Sequence, residues 1–414
     1  MRNVGLSAAP ANAYVEHLQD SAGPCMSTDL PPSSADLSNW RTAPFSRWAF
    51  HNIRAILPVA DIESAPGSAW ALPASPDSFD DFRLRLPKGG TLDLDGFLKA
   101  TATDGLLILH DGRIVFEFYD GGTDRDTPHI LMSATKSITG LMVGILAGRG
   151  ELDVDAEVTR YVPEVAATAY QGATIRQLLD MRAGVVLDGS GLQAYADASG
   201  WEPVAPGTTP NLHGFYETMR AQATPHGGPF SYVSANTDLL GWVIERATGR
   251  SFASLVGTLL WKPMGASGET FITVDRRGAP RCTGGFCTTL RDFARLGQLV
   301  LSGGRRGSQT IIPEGWLDDV RHNGDAQAWR DGQWRDSFAA ISRNMHYRSG
   351  WYVIDDAPQL MFAMGIHGQN LFVDAANGIV IAKVSSWAQP VDGQSIWLTH
   401  QAVAEFARCL KATA

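Results

Sequence analysis

Two apolar runs, Gly105-Leu-Leu-Ile-Leu-His110 and Arg113-Ile-Val-Phe-Glu-Phe-Tyr119, stand on either side of Asp111-Gly112. Strand-like segments around an Asp-Gly pair predict a β-hairpin. The period then changes. Ile138, Leu141, Met142, Ile145 and Leu146 fall on the i, i+3, i+4, i+7, i+8 stripe of a helix, with Gly148 and Gly150 as its stop. Thr174-Ile-Arg-Gln177 has capping-box spacing and opens a second helix through Leu178 and Leu179. A third is expected over about 237–248, ended by Gly249. Thr289-Leu-Arg-Asp292 opens a fourth through Leu299 and Val300, closed by Gly303-Gly304. After that the pattern reverts to strands, in Trp351-Tyr-Val-Ile354, Leu371-Phe-Val373 and Gly378-Ile-Val-Ile-Ala-Lys-Val384. The segment from about 392 to 411 reads as a last helix.

Strands at both ends with helices between them predict an α+β sandwich built from both termini, with a helical region inserted. The expected division is 1–124 and 270–414 for the sandwich and 125–269 for a mainly helical domain. Residues 1–40, rich in Ala, Ser, Pro and Asp, read as an extended arm. Trp40, Trp48, Phe50, Ile53 and Ile56 predict that the next stretch docks on a core. A length of 414 residues is enough for one large domain or two closely packed ones.

Composition narrows the function classes. With 44% hydrophobic and 19% charged residues, the chain is ordinarily globular. Its net charge of −9 and lack of a Lys/Arg-rich run argue against nucleic acid as a partner. Cys25, Cys282, Cys287 and Cys409 match no zinc spacing and are too sparse for a disulfide framework. The ten histidines form no HExxH-type cluster, and no Gly-rich dinucleotide fingerprint follows a strand, so neither metal nor cofactor is expected. The first residues hold no apolar core of signal-peptide length, and no stretch approaches the roughly 20 apolar residues of a membrane span. The expectation is a soluble, cytoplasmic protein with no membrane partner. Oligomeric state is left open, a homodimer included.

One further compositional detail points to chemistry. Of 34 Lys and Arg residues, only six are lysine, at 88, 99, 136, 262, 383 and 411. Lys136 alone has a serine three positions before it, in Met132-Ser133-Ala134-Thr135-Lys136, where the first central helix begins. Residues i and i+3 share a helix face, so these two side chains can meet. A serine hydroxyl needs a base to become a nucleophile. A lysine can serve once burial or nearby positive charge lowers its pKa from about 10.4. The helix N-terminus acts in that direction. Arginine could not be deprotonated for this task. A capping serine followed by a surface lysine would give the same four-residue pattern.

The surrounding blocks supply context. SATKSITGLMVGILAGRGELDVDAEVTRYVPE, ATIRQLLDMRAGV, ERATGRSF and GGFCTTLRDFARLGQLVLSGG resemble, in order, segments of the serine β-lactamase and DD-peptidase superfamily, class C branch. The resemblance runs from about Leu94 to the C-terminus. SRWAFHNI, LMSATKS, YVSANTDLLGW, GIHGQNLFVD and KVSSW are most similar to the 6-aminohexanoate-dimer hydrolase family, nylon-oligomer amidases with carboxylesterase activity. The resemblance implies a β-lactamase/transpeptidase-like sandwich with an all-helical domain and the site between them. It implies Ser133 as nucleophile, Lys136 as its base and Tyr232 as a proton shuttle. It also implies an oxyanion hole from the backbone N–H groups of Ser133 and Ile366. His367 is a tempting base beside Ile366, against the plainer reading of a structural histidine at a glycine turn.

The chain also departs from the superfamily. Ala363-Met364-Gly365 stands where β-lactamases and DD-peptidases carry Lys-Thr-Gly or His-Thr-Gly, and Ser234 replaces an asparagine after the tyrosine. The loop between Met181 and Trp201, which touches substrate in close relatives, reads as shorter here. Tyr195 or Asp197 could take over that role, against the plainer reading of solvated loop residues. Candidate substrate-binding residues are therefore Ser234, His367 and Tyr195. The expected activity is acyl-enzyme hydrolysis of a small amide or ester. The alternatives are a class C-type β-lactamase or D-stereospecific peptidase, and a non-catalytic sensor or scaffold.

Overall fold

The Asp111-Gly112 pair forms the expected turn. Both residues have positive φ, 49° and 75°, as a tight hairpin with right-twisted strands requires. The turn joins β1 (Thr103–His110) to β2 (Arg113–Tyr119). The computed structural model describes residues 34–219 and 222–413. The arm expected at 1–40 therefore lies almost wholly outside the described residues. Its last member, Trp40, is buried and donates from its indole to the Trp201 carbonyl at 3.1 Å. Phe50 and Ile53 bury with it, and Trp48 and Ile56 pack against the same cluster.

Five strands from the C-terminal third complete the sheet: β3 (Met345–Arg348), β4 (Trp351–Ile354), β5 (Leu360–Gly365), β6 (Gln369–Asp374) and β7 (Ile379–Ser385). Every pairing is antiparallel, and the order across the sheet is β3-β4-β5-β6-β7-β1-β2. A second, four-stranded antiparallel sheet joins Val59–Asp61, Phe271–Thr273, Phe286–Thr289 and Pro128–Ile130.

Helices cover the main sheet on both faces. Four helices matter here: α1 (Thr135–Gly148), α2 (Ser234–Thr248), α3 (Leu290–Leu301) and α4 (Gly393–Thr413). Leu106, Ile108, Phe372 and Ile381 pack in one cluster with Leu398, Ala402 and Phe406 of α4. Leu107, Leu109, Leu371 and Val380 pack in another with Leu290, Phe293 and Leu296 of α3. Burial on both faces explains why residues 106–109 are continuously apolar rather than alternating. The fold is thus α+β, an antiparallel sheet sandwiched by helices. Among the described residues, no helix is long and apolar enough to cross a membrane.

The expected helices form where their sequence signals place them, and further helices such as Leu212–Thr218 and Glu314–His322 were not anticipated. The capping box at Thr174 and Gln177 forms, with reciprocal bonds of 3.2 and 2.9 Å. α2 begins at Ser234, three residues before the expected start at about 237. The Met181–Trp201 stretch, read as a loop, contains a helix over Gly189–Ala198. Gly189 and Gly191 hide it in the sequence, while Asp188 caps it by accepting the Gly191 N–H at 2.7 Å.

α1 is fixed by close backbone approach. A Cβ at Gly140 would lie 1.8 Å from the Ser349 carbonyl oxygen, one at Gly144 would lie 2.5 Å from the Trp316 ring, and one at Gly148 would lie 2.5 Å from Pro313. These glycines, four residues apart, form the seam by which α1 meets the β3–β4 turn and its neighbours. Ser137 Oγ donates to the Gly350 carbonyl at 2.6 Å on the same seam. On an exposed helix, Gly→Ala gains about 1 kcal/mol. Here Gly140→Ala should instead cost about 3 kcal/mol, because the clash is with backbone that cannot rotate away. A urea titration should show the lowered midpoint. An unchanged or raised midpoint would refute the close docking of α1.

Candidate active site

The chain reaches the site through a bend. Leu131 N–H donates to the Phe286 carbonyl at 2.8 Å, tying this segment to the small sheet. Met132 then adopts a left-handed φ of 47°, an uncommon conformation for a residue with a side chain. Such strain persists where the surroundings enforce it, and Met132 is fully packed. A single 3₁₀ turn, Met132–Ala134, leads directly into α1 and leaves Ser133 half-buried on the wall of a cleft.

Gly365, the last residue of β5, closes against this bend. A Cβ there would stand 2.5 Å from the Leu131 carbonyl oxygen and 2.9 Å from the Ser133 nitrogen. Only glycine lets the strand end come so near. Gly365, Ile366 and Ser133 line the same cleft, so the backbone at Ile366 is brought beside that of Ser133.

Lys136 lies one helical turn after Ser133 and is almost wholly removed from solvent. Its Nζ donates to Ser133 Oγ at 3.0 Å and to the Thr283 carbonyl at 2.9 Å. It also sits 4.7 Å from the centroid of the Tyr232 ring. Burial pushes its pKa down to about 7; Asp238 opposes the shift and Arg281 adds to it. At neutral pH a large share of the amine is uncharged. Once the amine is neutral, with Thr283 still accepting one N–H, the contact with Ser133 can reverse and the hydroxyl donate to the nitrogen lone pair.

Behind the lysine lies a buried polar network that sequence reasoning missed. Asp238 of α2 is fully enclosed, accepts the Thr283 N–H at 2.9 Å, and is paired with Arg281 and with the Tyr195 hydroxyl. Arg281 also donates to Tyr195 at 3.2 Å. Asp238 therefore holds the Thr283 peptide whose carbonyl anchors Lys136. Burial raises the Asp238 carboxyl pKa and Arg281 pulls it back. The available signal was a charged residue inside an apolar helix, at Asp238-Leu239-Leu240.

Tyr232 completes the cluster. It is half-buried and lines the cleft together with Ser133. Burial raises its pKa well above 10, so the phenol keeps its proton at neutral pH. Its ring stacks on Trp334 with centroids 4.3 Å apart, and its backbone N–H donates to the Gln333 side-chain oxygen at 3.0 Å. Gln333 and Trp334 were not anticipated. They belong to a segment remote in sequence from Tyr232, and nothing local marks them.

The other candidates fall elsewhere. Ser234 opens α2 and is half-buried, but does not line the cleft. Tyr195 is no solvated loop residue and does not touch the cleft: it packs inward on the Asp238–Arg281 pair. His367 is completely buried, with φ 61° and Nδ1 bonded to the Trp387 carbonyl at 2.7 Å. Burial lowers its pKa to about 4, and it packs edge-on against Phe50, ring centroids 5.0 Å apart. It is a neutral structural histidine, enclosed beyond the reach of substrate.

Comparison with known proteins shows the family and the fold. The Beta-lactamase family model matches residues 94–405. A curated relative, 6-aminohexanoate-dimer hydrolase from Paenarthrobacter ureafaciens, is 34% identical over 360 residues, covering 86% of this chain and 88% of that protein. Esterase EstB from Burkholderia gladioli is 31% identical over 191 residues, 41% of this chain and 47% of the esterase. Among solved structures, a provisionally named 6-aminohexanoate-dimer hydrolase from Bacillus anthracis superposes with a TM-score of 0.84. It is 24% identical, and the match covers 93% of this chain and 99% of that one, showing a shared fold. On the extent of these matches, the chain belongs to the Beta-lactamase family.

Proposed function

We propose that this protein is a serine hydrolase cleaving small amides or carboxylic esters through a covalent acyl-enzyme on Ser133. The observation that carries the reading is the buried Lys136 amine, 3.0 Å from the Ser133 hydroxyl with its pKa lowered to about 7. The names of the relatives, an amide-cleaving dimer hydrolase and an esterase, support the two bond types.

In this mechanism neutral Lys136 takes the Ser133 proton as Oγ attacks the carbonyl carbon. The oxygen of the tetrahedral intermediate is held by the N–H groups of Ser133 and Ile366. Tyr232, still protonated, relays a proton from Lys136 to the departing amine or alcohol. Water then repeats the sequence on the acyl-enzyme. Burial raises the phenol's pKa and leaves the phenolate scarcely populated at neutral pH, which favours the lysine for proton abstraction.

Ser133→Ala should abolish turnover of p-nitrophenyl acetate and the acyl adduct visible by intact mass spectrometry. Full activity in that variant would end the reading. Lys136→Arg keeps the charge without a usable base and should lose about 10²–10⁴-fold in kcat/KM.

The pH dependence follows from the same amine. A base works when unprotonated, so kcat/KM should rise with pH through about 7 and then level off. Asp238 holds the Lys136 pKa up. Asp238→Asn should therefore move this acid limb to lower pH in the folded variant, as measured by a full pH–rate profile. A limb that stays put or moves upward would remove Asp238 from this role.

A further inference from the structure

The cleft in front of Ser133 encloses about 310 Å³. Its walls come from three segments far apart in the chain. Leu86 and Pro87 supply one, Phe338 and Ile341 a second, and Val391 and Trp397 of the C-terminal segment a third. Asp336 is the one charged side chain among the described lining residues. Its carboxylate is already bound in two-pronged fashion by Arg335, at 2.8 and 2.9 Å, and lies exposed. On β5 the residue facing the cleft is Met364, while Ala363 is buried away from it. No described cation lines this wall to receive a carboxylate.

These walls are half-buried or exposed apart from Phe338, so a bound acyl chain would cover apolar surface; such burial rewards apolar ligand surface and penalises a charge left without a partner. The leaving group departs after the first half-reaction. The acyl group remains tethered to Ser133 through both, beside these walls. We infer that the cleft selects uncharged aliphatic acyl groups of medium length and rejects acyl groups ending in a carboxylate. This rests on the acyl-enzyme reading above and adds to it the chemical class of substrate.

The test is a matched series of p-nitrophenyl esters on the full chain. From acetate through butyrate to hexanoate, kcat/KM should rise roughly three- to four-fold per added methylene. The gain should stop once the chain outgrows the cavity. The mono-p-nitrophenyl ester of adipic acid, as long as the hexanoate but ending in a carboxylate, should be at least about tenfold slower. Met364→Lys, or Val391→Lys if the first fails to fold, should raise the adipate-to-hexanoate ratio. A flat or falling chain-length series, or an adipate half-ester as fast as the hexanoate, would overturn the inference while leaving the acyl-enzyme intact. Absence of any adduct on Ser133 with every ester would overturn both.

Discussion

The structure depends on keeping one amine out of water without giving it a permanent counter-charge. Lys136 has a hydroxyl at 3.0 Å and a peptide carbonyl at 2.9 Å, with an aromatic ring close by. None of these is an anion. Asp238, the nearby carboxylate, is engaged by Arg281, Tyr195 and the Thr283 N–H. Had Asp238 faced the lysine without Arg281, the pair would have formed an ordinary buried ion pair and the amine would have stayed charged. The guanidinium absorbs the carboxylate, and the lysine is left with neutral partners. Structural stability and reactivity are thus settled by the same three side chains.

Such an arrangement demands backbone accuracy, and the fold obtains it by removing side chains. Gly365 lets β5 close on the Ser133 bend, and Gly140 lets α1 settle on the Ser349 carbonyl. The left-handed Met132 between them turns the chain sharply into the helix. These contacts join the main sheet to α1 from two sides. The relative position of Ser133 and the Ile366 backbone is therefore set by rigid elements rather than by loops.

Periodicity made much of this fold legible. The Asp-Gly hairpin, the capping box at Thr174 and the apolar stripe of α1 are local signals, and each became the element it predicted. What stayed hidden depends on pairing across the chain. Tyr195, weighed as a substrate contact against a solvated loop residue, lies in a helix that turns it onto Asp238. The rarity of lysine was informative but not unique to Lys136. Lys383, in the middle of β7, is equally buried and has its pKa lowered by burial to about 7. It contacts Ser385 and does not line the cleft. A buried lysine marks chemistry only where a hydroxyl and an open space meet it, and no single stretch of sequence displays that.

The three segments that wall the cleft contain none of the groups proposed to react. Leu86, Ile341 and Val391 belong to connections or element ends, whereas Ser133 and Lys136 stand at the head of α1 and Tyr232 immediately before α2. Substitutions at Leu86 or Val391 can therefore reshape what enters without touching the proton-transfer groups, whereas the segment that carries Ile341 also holds Tyr232 through Gln333 and Trp334. Divergence among descendants of such a scaffold would be read first in these connections. The head of α1 would stay the ancestral part.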